Sequence, residues 1–304
     1  MAKVSGQKRK RNHWVAQSYL RNFAADPDRR AKIWTMSKTA GEPELKPIEK
    51  VAVKFYLYAP NGPKGRDYSF EEKLSSLEQL FGLRGWAEIS TGAVDLCDPT
   101  MRKSLSLLAA VMFLRNPLRL AMTHDLHRQI VDRVKNLPQL PTTFEYRGRV
   151  HELDTSNWPE YRDANEDDVK RMWIDQIQSA RWLAEILMPM RWSMFVSEAP
   201  TFIATDNPVA VMHPELGFRG FRNPQTLVVF PLSPTRVLVM DNRKSEPDGQ
   251  YYIEANPGVL NVLLWRESID LMYTHRHPDL VCAEMALAAD KLEGVPDWSQ
   301  RIKP

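Results

Sequence analysis

The hydrophobic period of the chain changes at Pro200, and that switch narrows the folds open to it. Between about residues 68 and 198, apolar residues recur at helical spacing. Beyond Pro200 the runs TFIAT, PVAVM, TLVVF and RVLVMD read as short strands, with the tight turn PLSP between the last two. Ahead of the helical stretch, KIWTM at 32–36 and ELKPIEKVAV at 44–53 flank AGEP and predict a hairpin. Pro47 interrupts its second strand, which is therefore edge-like. Strands at both ends with helices between them predict an α+β fold, not a doubly wound sheet. The simplest topology pairs the N-terminal β-hairpin with a C-terminal, mostly antiparallel sheet and inserts the helical block between them. At 304 residues the chain is long enough for a sizeable core. Residues 1–11 are expected to be a basic flexible arm and residues 12–304 a single α+β domain. Its helical lobe covers about 68–198 and its β-rich lobe about 199–304.

Within this frame, Val15, Tyr19 and Phe23 line one face of a short helix over 13–24, ended by DPD at 26–28. Ser69 and Glu72 make a capping-box signal for a helix over about 70–82. The stretch 100–115, with SLLAAVMFL at its centre, predicts a helix buried all round, and Pro117 starts another. FEYRGRVHEL is hairpin-like, and a long helix runs from about Asn165 to Leu187. Helices at 256–267 and about 278–292 flank a strand at IDLMYTH.

Charge is unevenly spread. The net +3 resolves into +5 over residues 1–11, +6 over 12–150 and −8 over 151–304. Lys8, Arg9, Lys10 and Arg11 form a run that attracts nucleic acid through phosphate contacts, or an anionic membrane surface. A solvated arm on an electrically self-complementary chain is the plainer reading. No run approaches the roughly 20 apolar residues of a membrane span, and the basic start lacks an apolar segment behind it. The 2 cysteines, Cys97 and Cys282, cannot build a disulfide scaffold, so a reducing cytoplasm is expected.

Several polar groups have the chemistry of a site. Glu71 and Glu78 lie two turns apart on the predicted helix, about 10 Å along its axis. Asp206-Asn207-Pro208 stands between two strands, where it suits an Asx turn as well as a metal-binding or general-base carboxylate. Arg115 ends the buried helix, either facing its dipole or offering a fork to phosphate or carboxylate. His13, Gln17 and Arg21 form a polar ridge behind the basic run. The pairs His124/His127 and His275/His277 lack HExxH geometry, and no GxxxxGK[ST], GxGxxG or GxSxG occurs.

Taken in order, these segments resemble the bacterial proteins grouped as domain of unknown function 4238. NHWVAQSYLRNFA is similar to a His-x-x-Pro-x-x-Tyr-Leu-x-x-Phe opening, with Ala16 in place of the proline. FYLY, EEKLSSLE, ATDNPV and FPLSP follow, with Ala204-Thr205 for the usual Thr-Ser. The likeness runs from about residue 12 to 275 and marks His13, Tyr19, Leu20, Phe23, Tyr56, Glu71, Glu78, Arg115, Asp206, Asn207, Pro208, Pro231 and Ser233 as motif positions. It implies membership and no particular activity.

The basic N-terminal half and the separated motif carboxylates lead to an expected metal-dependent phosphodiesterase or nuclease. His13, Glu71, Glu78 and Asp206 would be catalytic, with Glu71 and Asp206 holding Mg²⁺ or Mn²⁺. Tyr19, Arg21, Arg115, Asn207 and Ser233 would bind substrate, and Lys8, Arg9, Lys10 and Arg11 nucleic acid. The alternatives are a non-catalytic nucleic-acid-binding or regulatory module, built on a buried polar network, and a small-molecule hydrolase or transferase. Convergence of His13, Glu71, Arg115 and Asp206 in one cleft separates a site from a scaffold.

Overall fold

The computed structural model describes residues 11–26, 30–80, 89, 95–137, 139–146, 148–213, 220–243, 245–253 and 258–293. Lys8, Arg9 and Lys10 of the basic run lie outside these residues, whereas Arg11 lies within them.

The hairpin pairs with the C-terminal half, as an α+β chain with an inserted helical block requires. A 4-stranded sheet runs in the order Ala204–Thr205, Leu271–Thr274, Lys32–Ser37, Glu44–Pro47, every pair antiparallel. Glu44–Pro47 is its edge, and the strand expected over 44–53 stops at Pro47, where a 3-10 turn, Ile48–Lys50, leads to a separate strand, Val53–Phe55. A 5-stranded sheet is ordered Ala210–Met212, Leu227–Ser233, Arg236–Asp241, Arg191–Val196, Gly249–Tyr252. Only its last pair is parallel.

Two expectations are corrected here. Arg191–Val196 is a strand near the middle of the larger sheet, not the tail of the helical lobe. Its run RWSMFV is almost wholly buried, and a short continuous apolar run has no period to separate strand from helix. The helix expected from Asn165 to Leu187 is two helices, Glu166–Gln178 and Ala180–Leu187, broken at Ser179. The first packs on Pro117–Val134 and the second on Pro99–Leu114, so the break lets each half follow a different neighbour. The opening segment also differs. His13 ends a strand, Arg11–His13, paired with Val53–Phe55, and the helix is the short Gln17–Leu20.

Apart from its edge strand Gly249–Tyr252, the larger sheet is buried on both faces, which explains its continuous apolar strands. Along Arg236–Asp241 the side chains alternate. Leu238 and Met240 join the cluster that contains Leu105, Leu108 and Met112 of Pro99–Leu114. Val237 and Val239 join the cluster that contains Leu264, Val281 and Met285 of the C-terminal helices. Those helices, Gly258–Glu267 and Pro278–Glu293, approach so closely that a Cβ on Gly258 would lie 2.7 Å from the Glu284 carbonyl oxygen. Residues 108–116 are all buried, but 99–104 are half-buried or exposed, so only the second half of that helix is buried all round.

Two local signals deserve their physical reason. Helix Ser69–Leu80 is capped by Asp67, whose carboxylate accepts the Ser69 N–H at 2.9 Å, in place of the Ser69/Glu72 box. Asn165 and Asp168 form a full capping box on Glu166–Gln178.

Candidate functional site

The corner Arg115-Asn116-Pro117 organises the polar centre of the protein. Arg115 ends Pro99–Leu114 and Asn116 caps Pro117–Val134, and the two helices meet at 58°. Their side chains reach in different directions. The buried guanidinium of Arg115 donates to Glu78 Oε1 at 2.7 Å, to the His13 carbonyl, and to the Tyr58 hydroxyl at 3.4 Å. Tyr58 in turn donates to the Arg115 carbonyl at 2.9 Å. Asn116 donates to the Asp206 carbonyl and to Asn207 Oδ1, both at 3.1 Å, while its own Oδ1 accepts the Leu118 N–H. One corner therefore ties the N-terminal strand, helix Ser69–Leu80 and the Asp206 turn together.

Electrostatics follow from this burial. Burial alone would lower Arg115, but Tyr58 and Glu78 outweigh it and hold the guanidinium above its ordinary value. Burial pushes the Tyr58 phenol up to about 12; Arg115 pulls against that rise, and the charges of Glu71 and Glu78 add to it. His13 is neutral. Its Nδ1–H donates to the Val51 carbonyl at 3.1 Å, and its Nε2 accepts from the Gln17 amide at 2.8 Å. Burial lowers its pKa to about 4.

That shift has a sign. An unfolded chain protonates His13 below about 6.5 and the folded chain only near 4, so acid favours the unfolded state in between. The contribution is complete above the unfolded value and is lost as pH falls through that window, about 3 kcal/mol in all. Urea midpoints measured from pH 7 to pH 4 are expected to fall less steeply in His13→Gln than in the wild type.

The four residues on which convergence was to be judged do not all meet. Arg115 bridges the Glu78 carboxylate and the His13 backbone carbonyl, and Glu71 is half-buried beside Tyr58. The Asp206 carboxylate faces elsewhere. It accepts the backbone N–H groups of Ile269, Asp270 and Leu271, each at 2.9 Å. Burial holds it above the usual carboxylate range, and these donors limit the rise. Among the described residues no group of three or more His, Cys, Asp or Glu side chains could hold a metal ion. Asp206 is committed to backbone amides and Glu78 to Arg115, so these groups do not fit a Mg²⁺ or Mn²⁺ site shared by Glu71 and Asp206.

The residues expected to bind substrate are mostly structural. Tyr19 is fully buried between Phe23 and Phe230. Asn207 is buried, donates to the Glu267 carbonyl at 2.8 Å, and shares a tight turn with Thr205. Ser233 is buried and its Oγ accepts the Thr235 N–H at 3.2 Å in the PLSP turn. Arg21 lines an open groove. Residues missed by sequence reading are Tyr58, Asn116 and Trp14, whose indole donates to the Asp206 carbonyl at 3.1 Å. The motif tyrosine Tyr56 lies outside the cluster, at φ 54° with Arg66 over its ring. His127 is also accounted for structurally, since its Nε2–H donates to the Tyr161 carbonyl at 2.7 Å.

A family described as "Protein of unknown function (DUF4238)" matches residues 11–261. The chain belongs to the DUF4238 family. No curated protein and no solved structure matches it. The DUF4238 match takes in every residue of the His13–Tyr58–Glu78–Arg115 cluster and of the Asn116–Asp206–Asn207 network. Helix Pro278–Glu293, which closes the second apolar cluster, lies beyond it. No single helix among the described residues is long and apolar enough to cross a membrane.

Proposed function

We propose that this DUF4238 protein binds the phosphodiester backbone of nucleic acid and that the Arg115 cluster serves the fold of that surface. The observation that carries the reading is a groove of about 550 Å³ lined by Gln17, Arg21, Arg30, Lys32, Glu49 and Lys50 among others. Four cations face one acid there, a balance that suits phosphate and disfavours an acidic-poor or neutral ligand. Gln17 joins the groove to His13, the last residue of the strand Arg11–His13. The run Lys8–Arg11 adds four cations to the charge available for phosphate contacts, through its sequence alone.

Phosphodiester cleavage has no comparable support, because both ring nitrogens of His13 are engaged, Nδ1 with the Val51 carbonyl and Nε2 with the Gln17 amide. A small-molecule enzyme has less support. The pocket beside Tyr58 is about 170 Å³, below the roughly 300 Å³ at which ligand sites usually begin, and the larger groove is lined by none of His13, Glu71, Glu78 and Asp206.

Fluorescence anisotropy with labelled oligonucleotides tests the binding reading. Four phosphate contacts predict that affinity falls roughly 50- to 150-fold between 50 and 200 mM salt. Replacing Arg21, Arg30 and Lys50 together by Gln should flatten that dependence. No binding at low salt, or binding indifferent to salt, contradicts the reading.

A further inference from the structure

We propose that the ribbon formed by Thr143–Tyr146 and Arg149–Glu152 is a stacking platform for single-stranded nucleic acid, an inference that rests on the polyanion-binding reading above. All eight residues of its strands are exposed. A two-stranded ribbon standing alone is marginally stable in water, so its side chains matter chiefly for what they present. Gly148, at φ 72°, turns the chain between the strands.

The register sorts the side chains into two unlike faces. Phe144 lies opposite His151 and Tyr146 opposite Arg149, so two aromatics, an arginine and a histidine share one face. Thr143 lies opposite Glu152 and Glu145 opposite Val150, which makes the other face acidic. Phe144 is 46% exposed and Tyr146 56%, large apolar surfaces for solvent to cover. Phe144 and His151 stack across the strands with ring centroids 5.0 Å apart, which holds the Phe144 ring by one of its faces.

This chemistry selects one class of ligand. Every base has a π-face that stacks on an aromatic ring, and a neighbouring arginine meets the phosphate or stacks in turn. Phe144 and Tyr146 are two residues apart on one strand, about 7 Å, a step that an extended strand of nucleotides can match. A duplex keeps its bases inside and cannot use these rings. The carboxylates of Glu145 and Glu152 repel a phosphate backbone from the opposite face, which fixes the side of approach.

The test measures binding of the full chain to labelled oligo(dT), oligo(U) and a duplex of equal length by anisotropy, with thermal melts as a fold control. Phe144→Ala/Tyr146→Ala is expected to weaken single-strand binding roughly 30-fold or more, with duplex affinity and melting unchanged. Arg149→Ala should lower the single-strand salt slope by about 0.7. Glu145→Gln on the other face should not weaken binding. Wild-type protein that binds nucleic acid, paired with a double variant of equal single-strand affinity, overturns the ribbon assignment alone. Absence of any nucleic-acid binding removes the ribbon and the groove together. Loss of sedimentation with phosphatidylserine vesicles, with oligonucleotide affinity kept, would assign the face to a membrane surface and also overturn the proposal.

Discussion

Glu78→Ala is expected to destabilise the folded protein by about 3 to 5 kcal/mol, more than Arg115→Met does. The reason is an asymmetry in burial: the Arg115 side chain is 3% exposed and that of Glu78 29%. Removing the carboxylate strands a charged guanidinium in the interior. Removing the guanidinium leaves a carboxylate that water can reach, and methionine fills much of the vacated volume. Arg115→Met still loses the bond to the His13 carbonyl and the contacts with Tyr58, about 1 to 2 kcal/mol. The double variant should therefore resemble Arg115→Met, a coupling of about 2 kcal/mol or more. Urea unfolding of the four proteins measures it. A Glu78→Ala cost below about 1 kcal/mol would show that the pair does not hold the fold. A carboxylate kept for catalysis would behave that way, since removing a strained active-site charge is often neutral or stabilising.

Asp206→Ala is the second large effect, about 3 kcal/mol, because three backbone N–H groups lose one shared acceptor. Their amides belong to residues 269–271, at the entry to strand Leu271–Thr274, and the Asp206 N–H itself bonds the Leu271 carbonyl at 3.1 Å. The damage should therefore appear first in the smaller sheet. Hydrogen exchange at Leu271–Thr274 and at its partner Lys32–Ser37 is expected to quicken before exchange in Arg236–Asp241 does. Asp206→Asn keeps one carbonyl acceptor and should fall between wild type and Ala. The loss should be equal in EDTA and in millimolar Mg²⁺ or Mn²⁺. A loss seen only with divalent ion present would make Asp206 a metal ligand after all.

Much of the architecture was legible because turns and prolines punctuate it. The hairpin around AGEP, the helix start at Pro117 and the PLSP turn each carry a local chemical reason and fall where expected, although the second hairpin strand is shorter than its apolar run. Arg191–Val196 was not legible, because a strand buried on both faces has no alternation to read. The break at Ser179 has no proline or glycine to announce it, and arises from two neighbouring helices that pull the segment apart. In the cluster, His13, Glu78 and Arg115 stood out as polar motif positions. Which tyrosine of FYLY turns inward did not, because that choice follows from left-handed backbone at Ala52 and Tyr56, φ 48° and 54°. Neither residue is of the glycine or asparagine type that signals such a conformation. Asp206 was legible as a turn residue, but its partners are backbone amides some 60 residues away, which leave no mark on side-chain pattern.

The most direct measurement follows binding and turnover in one experiment. Labelled single-stranded RNA, single-stranded DNA and duplex DNA are incubated with protein at low salt, with Mg²⁺, with Mn²⁺ and with EDTA. Anisotropy is read first and product length afterwards. A binding protein with a structural polar cluster gives salt-sensitive complexes and intact strands in every condition. Strands cut by the wild type, and left whole by a His13→Gln variant that still folds and binds, would contradict it.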